Sequence, residues 1–422
     1  MTAQDVEEAV EASATGAPTG RISVASRGHR ALIALLLIGN TAVIAVYMGA
    51  GILLALQAAQ ISPNGKVAAL GTVTGVAALV ATLAQPIVGA LSDRGGRRGP
   101  WILGGALAGF GLLSVLADLR TVLLLTVGWC AVSAALNAYQ VAVSSVIPDR
   151  IPEGLRGTAS GFVGLGIPLG AFLGPWLAAR AAPVSLRTGY LLLGGLVAFA
   201  ALLLTSLARE RRMPGGRSAG LGGQLASLGS ALRGRDFRWA FTGRALITLG
   251  YFSVSGFQLY IVQDHTVLPA NLSPTEAVAV LSPVGAVAMA ASTSLGGVLS
   301  DRTGRRRPFV TAAAIVSAGA ALLPVLSDSW GAMLVFTALN GLGFGCFMAV
   351  DLSIVTLVLP STSDAARDLG VLNMAQAGPQ IVSPLIGSLA VSVLGGYTGL
   401  FMVAGAVAAL GSLAMLPIRG VR

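Results

Sequence analysis

Charged residues are scarce in this sequence: Asp, Glu, Lys and Arg together make up 10% of its 422 residues. Soluble domains carry about 25% of such residues, so a water-soluble fold is excluded. In their place, hydrophobic residues make up 55% of the chain, and the mean hydropathy is +0.80. The sequence therefore predicts an integral membrane protein.

Residues that often carry chemistry are also few, with two cysteines and two histidines in the whole chain. Cys130 and Cys346 fall inside apolar runs, so the sequence indicates neither a disulfide framework nor a metal site, and we expect no cofactor. His29 and His265 lie near opposite membrane edges. Each is expected to be a solvated or interfacial side chain.

An enzyme embedded in the membrane would need paired carboxylates, a metal cluster or an activated nucleophile at membrane depth. The apolar runs offer one buried acid and no histidine, so we expect no enzymatic activity. A phosphate-binding loop of the form G-x-x-x-x-G-K-[ST] is also missing from the sequence. This argues against direct use of ATP.

The sequence does contain a long series of apolar runs, each long enough to cross a ~30 Å hydrocarbon layer as a helix. We predict an all-α integral membrane protein with twelve spans in two six-helix halves. The spans are predicted at 31–57, 67–91, 101–117, 121–147, 158–180, 188–207, 240–262, 275–299, 308–326, 330–358, 370–394 and 397–418. The predicted domains are a disordered cytosolic tail (1–30), an N-terminal half (31–207), a cytosolic linker (208–239), a C-terminal half (240–418) and a short cytosolic C-tail (419–422).

An internal repeat supports the two halves. The stretch Gly89–Arg98, which reads GALSDRGGRR, returns 208 residues later as Gly297–Arg306, which reads GVLSDRTGRR. Each copy is expected to form a charged turn after an apolar span, with glycines for positive φ. A repeat at this spacing marks equivalent points in two halves, and parallel repeats of this kind place a substrate site between them near mid-membrane.

Basic residues are unevenly divided between the two predicted faces. The N-tail, the loops after the even-numbered spans, the C-tail and Arg244 together hold 23 of the 27 basic residues; the other face holds Lys66, Arg120, Arg180 and Arg187. Cytosolic loops carry this excess, so both termini are expected in the cytosol of a cell-membrane protein. The net charge of +10 is thus a topology signal, and we expect no nucleic acid.

The repeated motif G-x-L-[SA]-D-R-x-G-R-R resembles the signature of the major facilitator superfamily, and the resemblance covers nearly the whole chain. The stretches 349–360, 367–370 and 379–380 further resemble a bacterial branch loosely similar to sugar and cation symporters. The resemblance implies alternating access by rocking of the halves and a gate at the repeated turns. The implied gating residues are Asp93, Arg94, Arg97, Arg98, Asp301, Arg302, Arg305 and Arg306. The alternative is a topogenic basic loop with no gating role.

Asp351 is the only acid placed well inside a span. It lies nine residues before Pro360, roughly 13 Å from the membrane edge at the usual helical rise. A carboxylate at that depth needs protonation or a partner, and Arg244 in span 7 is the candidate. Either the pair relays protons or it is a static ion pair bracing the C-terminal half.

Polar residues follow helical spacing in spans 1, 4, 7 and 10, which the resemblance implies line the cavity. In span 7, Arg244, Thr248, Tyr251, Ser255 and Gln258 form one stripe. The substrate-cavity candidates are Asn40, Tyr47, Asn137, Gln140, Tyr251, Ser255, Gln258, Asn340 and Phe347. Interhelical hydrogen bonding is the alternative for any one of them. Amides, hydroxyls and aromatic rings suit a neutral polar or amphiphilic small molecule.

The direction of transport stays open. Span 5 carries Gly161, Gly170 and Gly174-Pro175, which resemble the family's antiporter motif except that Ala178-Ala179 replace its final glycine pair, and this favours export. Against export, span 4 lacks the arginine of many proton-coupled exporters. A sugar-type proton symporter and a transport-inactive sensor or scaffold are the alternatives. We expect a monomer in the bilayer, with a small-molecule substrate and protons as partners.

Overall fold

The structure, a computed structural model, describes residues 27–95, 97–208, 235–303, 307–358 and 365–417. The predicted tail up to residue 26, linker residues 209–234, the gating residues Arg305 and Arg306, and the C-tail 419–422 lie outside the described residues. The side chains of Asp93, Arg94, Asp301 and Asp351 lie outside the described part as well.

Most of the described chain is helical, and its helices match the twelve predicted spans in order. Nine spans are single helices: Arg27–Ile61 (span 1), Lys66–Gly95 (2), Gly99–Leu116 (3), Val122–Arg150 (4), Leu186–Leu207 (6), Pro274–Thr303 (8), Trp330–Val358 (10), Ala365–Val393 (11) and Tyr397–Met415 (12). Three spans are helix pairs: Glu153–Gly164 with Gly166–Ala181 (5), Arg235–Ser255 with Gln258–Asp264 (7), and Arg307–Ala320 with Leu322–Leu326 (9).

Most of these helices are long and apolar enough to cross a bilayer. Within the described residues, ten meet that test alone, and the bent pair in span 7 raises the number to 11. Span 11 is not among these, because its apolar part, Gly378–Val393, is shorter than the test requires. The chain is therefore a multi-pass membrane protein.

The two halves repeat the same packing. In the first half, span 1 packs on spans 5 and 6, span 4 on spans 2 and 3, and span 3 on span 6. In the second, span 7 packs on spans 11 and 12, span 10 on spans 8 and 9, and span 9 on span 12. The halves meet mainly where span 2 packs on span 11 and span 5 on span 8. The prediction of two pseudo-symmetric six-helix halves is confirmed.

Small residues allow span 5 to approach span 1 closely. A Cβ atom added at Gly174 would collide with the Ala45 carbonyl, and one added at Gly170 would lie 2.7 Å from the Thr41 carbonyl. Side chains at these positions would push the backbones apart, so glycine sets the spacing of the pair. Gly161, in the same predicted motif, faces open space.

Span 7 departs from the prediction of one straight helix. Its two helices meet at a 50° bend at Gly256 and Phe257, where glycine weakens the helix. The Phe257 amide bonds the Val254 carbonyl three residues back, which tightens the last turn. The predicted stripe therefore ends at Ser255, and Gln258 begins a separate helix. The expectation that all five polar residues share one helical face was wrong.

The repeated motif also folds differently from the expected turn. Span 2 stays helical through Asp93 and Arg94 to Gly95, and span 8 through Asp301 and Arg302 to Thr303. Once a helix has formed, each further residue adds one backbone hydrogen bond, so the helix can continue past its last apolar residue. The turn is thus shorter than the motif, and Gly95 is helical.

Candidate functional site

Arg98 connects three elements at the face where the basic loops lie, called here the basic face. Its Nε atom lies 3.0 Å from the Asp149 carboxylate at the end of span 4, and its Nη1 donates to the Ser92 hydroxyl in span 2 at 2.7 Å. Both side chains of the ion pair are about four-fifths buried, with 17% and 20% exposed. This arginine therefore fixes the loop between spans 2 and 3 to the end of span 4, within one half.

The two copies of the motif share one feature in the described part. Ser92 and Ser300 occupy the same motif position, and both are buried. The other described candidates of this set, Arg97 and Arg302, are exposed to solvent. The roles predicted for these residues in gating stay predictions.

A second charged cluster lies at the opposite face and joins the two halves. Its residues are Lys66, Tyr260, Asp264 and Tyr397, called here the Lys66 cluster. The Lys66 ammonium, at the start of span 2, lies 2.8 Å from the carboxylate of Asp264 at the end of span 7. The Tyr397 hydroxyl, at the start of span 12, donates to the same carboxylate at 2.8 Å.

Tyr260 adds an uncharged contact between the halves in this cluster. Its hydroxyl donates to the backbone carbonyl of Ala55 in span 1 at 2.6 Å, and its side chain is fully buried. The Lys66 ammonium also lies 4.9 Å from the centre of the Tyr260 ring, a cation–π distance. The Lys66 cluster was missed by sequence reasoning, where Lys66 only counted as a basic residue on the sparse face.

In the N-terminal half, the structure brings together some of the predicted cavity residues. The Asn137 amide in span 4 lies 3.4 Å from the Tyr47 hydroxyl in span 1 and donates to the Ser133 carbonyl at 3.1 Å. The Asn40 amide instead donates to the Val163 carbonyl of span 5 at 2.9 Å. Gln140 is half-buried. Asn40 thus holds two helices together, as the alternative interpretation allows.

In the C-terminal half, an aromatic group joins spans 7 and 10. The Tyr251 and Phe344 rings are stacked, with centroids 3.8 Å apart and an angle of 11°. Phe252 and Phe347 lie 6.0 Å from Phe344. Buried ring pairs of this kind give a flat apolar surface.

A small cavity of about 20 Å³ lies beside this aromatic group. Its wall includes Tyr251, Ser317 and Asn340, so it offers polar partners and about the room of one water molecule. Ser255, at the end of the first helix of span 7, is exposed, and Gln258 is half-buried. Of the candidates on spans 7 and 10, Tyr251 and Asn340 therefore line one cavity, and Phe347 lies beside Phe344 of its wall. Ser255 and Gln258 are not among the lining residues.

Arg244 is buried in the first helix of span 7, with 6% of its surface exposed. Span 7 packs on span 10, the helix that carries Asp351. A guanidinium at such a site requires compensating partners. The proposed pairing of these two residues stays a prediction, because the Asp351 side chain lies outside the described part. Among the described residues, no group of His, Cys, Asp and Glu is arranged to hold a metal ion.

Comparison with known proteins places this arrangement in a family. The sequence model of the Major Facilitator Superfamily matches residues 31–290 and 260–421. Among curated protein sequences, none gives a significant match. Similar solved structures include a mutant of the nucleoside transporter NupG, with a TM-score of 0.76 and 12% identity over 92% of this chain and 100% of that chain.

Two other structures share the fold. A peptide transporter POT in complex with sulfate has a TM-score of 0.75 and 18% identity, covering 94% of this chain and 95% of that chain. A bacterial homologue of the human lysosomal transporter Spinster, inward-facing and unoccupied, has a TM-score of 0.68 and 16% identity, covering 94% and 99%. At these identities the likeness concerns the fold.

Proposed function

The chain belongs to the Major Facilitator Superfamily, and from that premise we propose that it is a proton-coupled secondary transporter of a small neutral polar or amphiphilic molecule, working by alternating access. The observation that carries this proposal is the Lys66 cluster. It joins the two halves by an ion pair and a side-chain hydrogen bond at one face of the protein. Rocking of one repeat against the other needs such contacts.

The uneven distribution of basic residues supports a topology in which the basic face is cytosolic. The Lys66 cluster then closes the outer face. At the cytosolic face, the Arg98–Asp149 pair lies within the N-terminal half, so it does not join the halves. The Lys66 cluster therefore supports a conformation that is closed to the outside.

The chemistry of the described cavity candidates supports the substrate class. Tyr47 with Asn137, and Tyr251 with Asn340, offer hydroxyl and amide groups, and Phe344 offers a ring face. A strongly anionic substrate would want several convergent arginines. A neutral molecule with a polar end and a flat apolar part fits these groups best.

We infer a coupling role for Asp351 with Arg244. A carboxylate on span 10 that alternately holds a proton and faces a buried arginine would link protonation to the contact between spans 7 and 10. The test is transport by Asp351→Asn, which keeps the shape and removes the titration. Loss of pH-driven accumulation with retained exchange of substrate is expected. Full accumulation by a folded variant would remove the relay.

Transport itself is tested in proteoliposomes with an imposed ΔpH, using uptake and efflux of a panel of neutral peptides, nucleosides, sugars and amphiphiles. Flux that follows the pH gradient and fails in liposomes without protein is expected. Movement of sugars in the same direction as protons would favour the sugar symporter. Movement of substrate in the direction opposite to protons would favour proton-coupled export. No flux of any compound would favour the sensor or scaffold.

A crosslinking experiment tests whether transport requires opening at the Lys66 cluster. With Cys130 and Cys346 replaced by alanine, a reducible bifunctional thiol reagent joining cysteines at positions 66 and 264 should stop transport, and a reductant should restore it. Crosslinked protein with undiminished flux would contradict alternating access through this face.

A further inference from the structure

A cavity of about 420 Å³ lies between the cytosolic ends of spans 3, 4 and 6, away from the polar residues of spans 1, 7 and 10. Its volume is in the range of small-molecule sites. The proposed transport cycle gives this cavity no role. Its two charged lining residues are Arg98 and Arg150.

The charge of the cavity comes from Arg150. Arg98 is paired with Asp149, so their charges offset one another, whereas no ion pair to Arg150 is found in the part of the chain that the structure describes. Arg150 is the last residue of the span 4 helix and is half-buried. A cation there is held near the negative end of the helix dipole, and it leaves the cavity with a net positive charge.

The walls of the cavity are apolar. Ile102, Leu103, Val146 and Leu204 line it, and three of these side chains are buried. A small soluble anion would gain little from such walls. An anion attached to a hydrocarbon chain would bury that chain against them.

The surface beside the cavity continues this apolar character. Leu107 lies one helical turn deeper on span 3 than Leu103 and is 45% exposed, and Leu207 on span 6 is 66% exposed. Leu107 falls inside predicted span 3 and Leu207 at the end of predicted span 6, where exposed leucines can contact acyl chains. A lipid tail can therefore run from the cavity along span 3.

The segment of the chain that follows Ala208 is not suited to fill the cavity. The sequence passes from Ala208, which lines the cavity, into Arg209-Glu210-Arg211-Arg212, whose net positive charge is the wrong sign for Arg150.

We propose that this cavity binds an anionic phospholipid of the cytosolic leaflet, with its phosphate at Arg150 and its acyl chain along Leu103 and Leu107. Basic pockets between membrane helices on this side suit such headgroups. Arg98, which bonds Ser92 and Asp149, lines the same cavity. The inference rests on the topology proposed above in placing the basic face at this leaflet.

The test is native mass spectrometry of the purified full-length chain in detergent, with phosphatidylglycerol or phosphatidylcholine of identical acyl chains. The wild type is expected to retain phosphatidylglycerol preferentially, and Arg150→Gln to lose about five-fold in that preference, which is about 1 kcal/mol for one charge. Arg187→Gln, at an exposed arginine of the opposite face, should behave as wild type.

Two further measurements separate the outcomes. Phosphatidylglycerol should raise the unfolding temperature of the wild type more than that of Arg150→Gln, and inorganic phosphate should not displace the lipid. An unchanged preference in Arg150→Gln would overturn the site, and displacement by inorganic phosphate would assign it to a soluble anion. Lipid binding is measured without transport, so a failure of the proposed transport would leave this result intact.

Discussion

Lys66 and Asp264 are 198 residues apart in the sequence, yet the ammonium of one lies 2.8 Å from the carboxylate of the other. They belong to different halves, so their contact depends on how the halves are docked. The fold of either half alone does not require it. This makes the pair a sensitive point for perturbing the balance between conformations.

Replacing Lys66 with glutamine should shift the halves apart at the Lys66 face. The pair is partly exposed, at 21% and 30%, so it contributes at most about 1 kcal/mol, or about a five-fold shift in population. The measurement is double electron–electron resonance between spin labels at Ser62 and Leu394, which lie on the two halves at this face. The labelled protein carries no native cysteines. The fraction of long distances should increase.

Two comparisons sharpen this measurement. Arg187→Gln removes a bridge to Asp118 at 3.8 Å, which lies within the N-terminal half, so its distance distribution should equal the wild type. The exchanged pair Lys66→Asp with Asp264→Lys should recover the short distances. If Lys66→Gln leaves the distribution unchanged, the bridge does not hold the halves together.

Tyr260→Phe should have the same direction of effect. It removes the hydroxyl that donates to the Ala55 carbonyl at 2.6 Å and leaves the ring beneath Lys66, so about 1 kcal/mol is lost. Because the two side chains touch, the double variant with Lys66→Gln should deviate from additivity. The same pair of spin labels reports the result.

Tyr139→Phe is the matched control for this variant. Its buried hydroxyl donates to the Gly39 carbonyl at 3.0 Å, but both residues belong to the N-terminal half. It should lower the unfolding temperature and leave the distances between halves unchanged. An equal shift in both tyrosine variants would mean that general destabilisation, and not the contact between halves, moves the labels.

Gly174→Ala should damage the packing of span 5 on span 1, whereas Gly161→Ala should be tolerated. A methyl group at Gly174 would meet the Ala45 backbone carbonyl, which cannot rotate away, and one at Gly161 meets nothing within 4 Å. Overpacking of this kind costs about 1 to 3 kcal/mol. Yield of monodisperse protein and unfolding temperature in detergent measure it, and similar values for both variants would refute the role of Gly174.

Tyr190→Phe should destabilise the N-terminal half. The Tyr190 hydroxyl donates to the Gln57 side chain at 2.9 Å, and the Gln57 amide donates to the carbonyls of Leu116 and Leu119 at 2.8 and 3.0 Å. Removing the hydroxyl leaves a buried amide oxygen without that donor, which costs about 1 to 3 kcal/mol. The unfolding temperature should fall.

The double variant with Gln57→Leu tests the same network. Because replacing both partners by apolar groups removes the unsatisfied atom, it should cost less than the sum of the single variants. Ser206→Ala, whose exposed hydroxyl donates to the Leu203 carbonyl of its own helix, should be neutral. Strict additivity would indicate that Gln57 and Tyr190 act independently.

The spans were predictable because their signal is local. A run of apolar residues must be buried in lipid wherever it occurs, and the repeat of Gly89–Arg98 at Gly297–Arg306 located the halves. The bend at Gly256 was not predictable, since helical periodicity assumes one straight axis. Gln258 lies in the second helix of span 7, whose direction depends on tertiary packing, and so it does not share the polar face of the first helix.

The contacts of the charged clusters were not predictable for a different reason. Asp264 pairs with Lys66 and Tyr397 across 198 and 133 residues, and Arg98 with Asp149 across 51. Nothing in the local sequence sets such pairings. The available signal was the scarcity of charge at the face opposite the basic face, where Lys66 and Asp264 have few other partners of opposite sign.

Lys66 is the only lysine of the chain, and this makes it a built-in chemical reporter. Apart from the α-amino group, an amine-reactive, membrane-impermeant reagent has one target in this protein. An ammonium held by Asp264 and covered by the Tyr260 ring reacts slowly, and a released one reacts faster. The rate of acylation of the natural protein would therefore report opening of this face without any engineered cysteine. The mass of the modified peptide would identify Lys66 as the site of reaction.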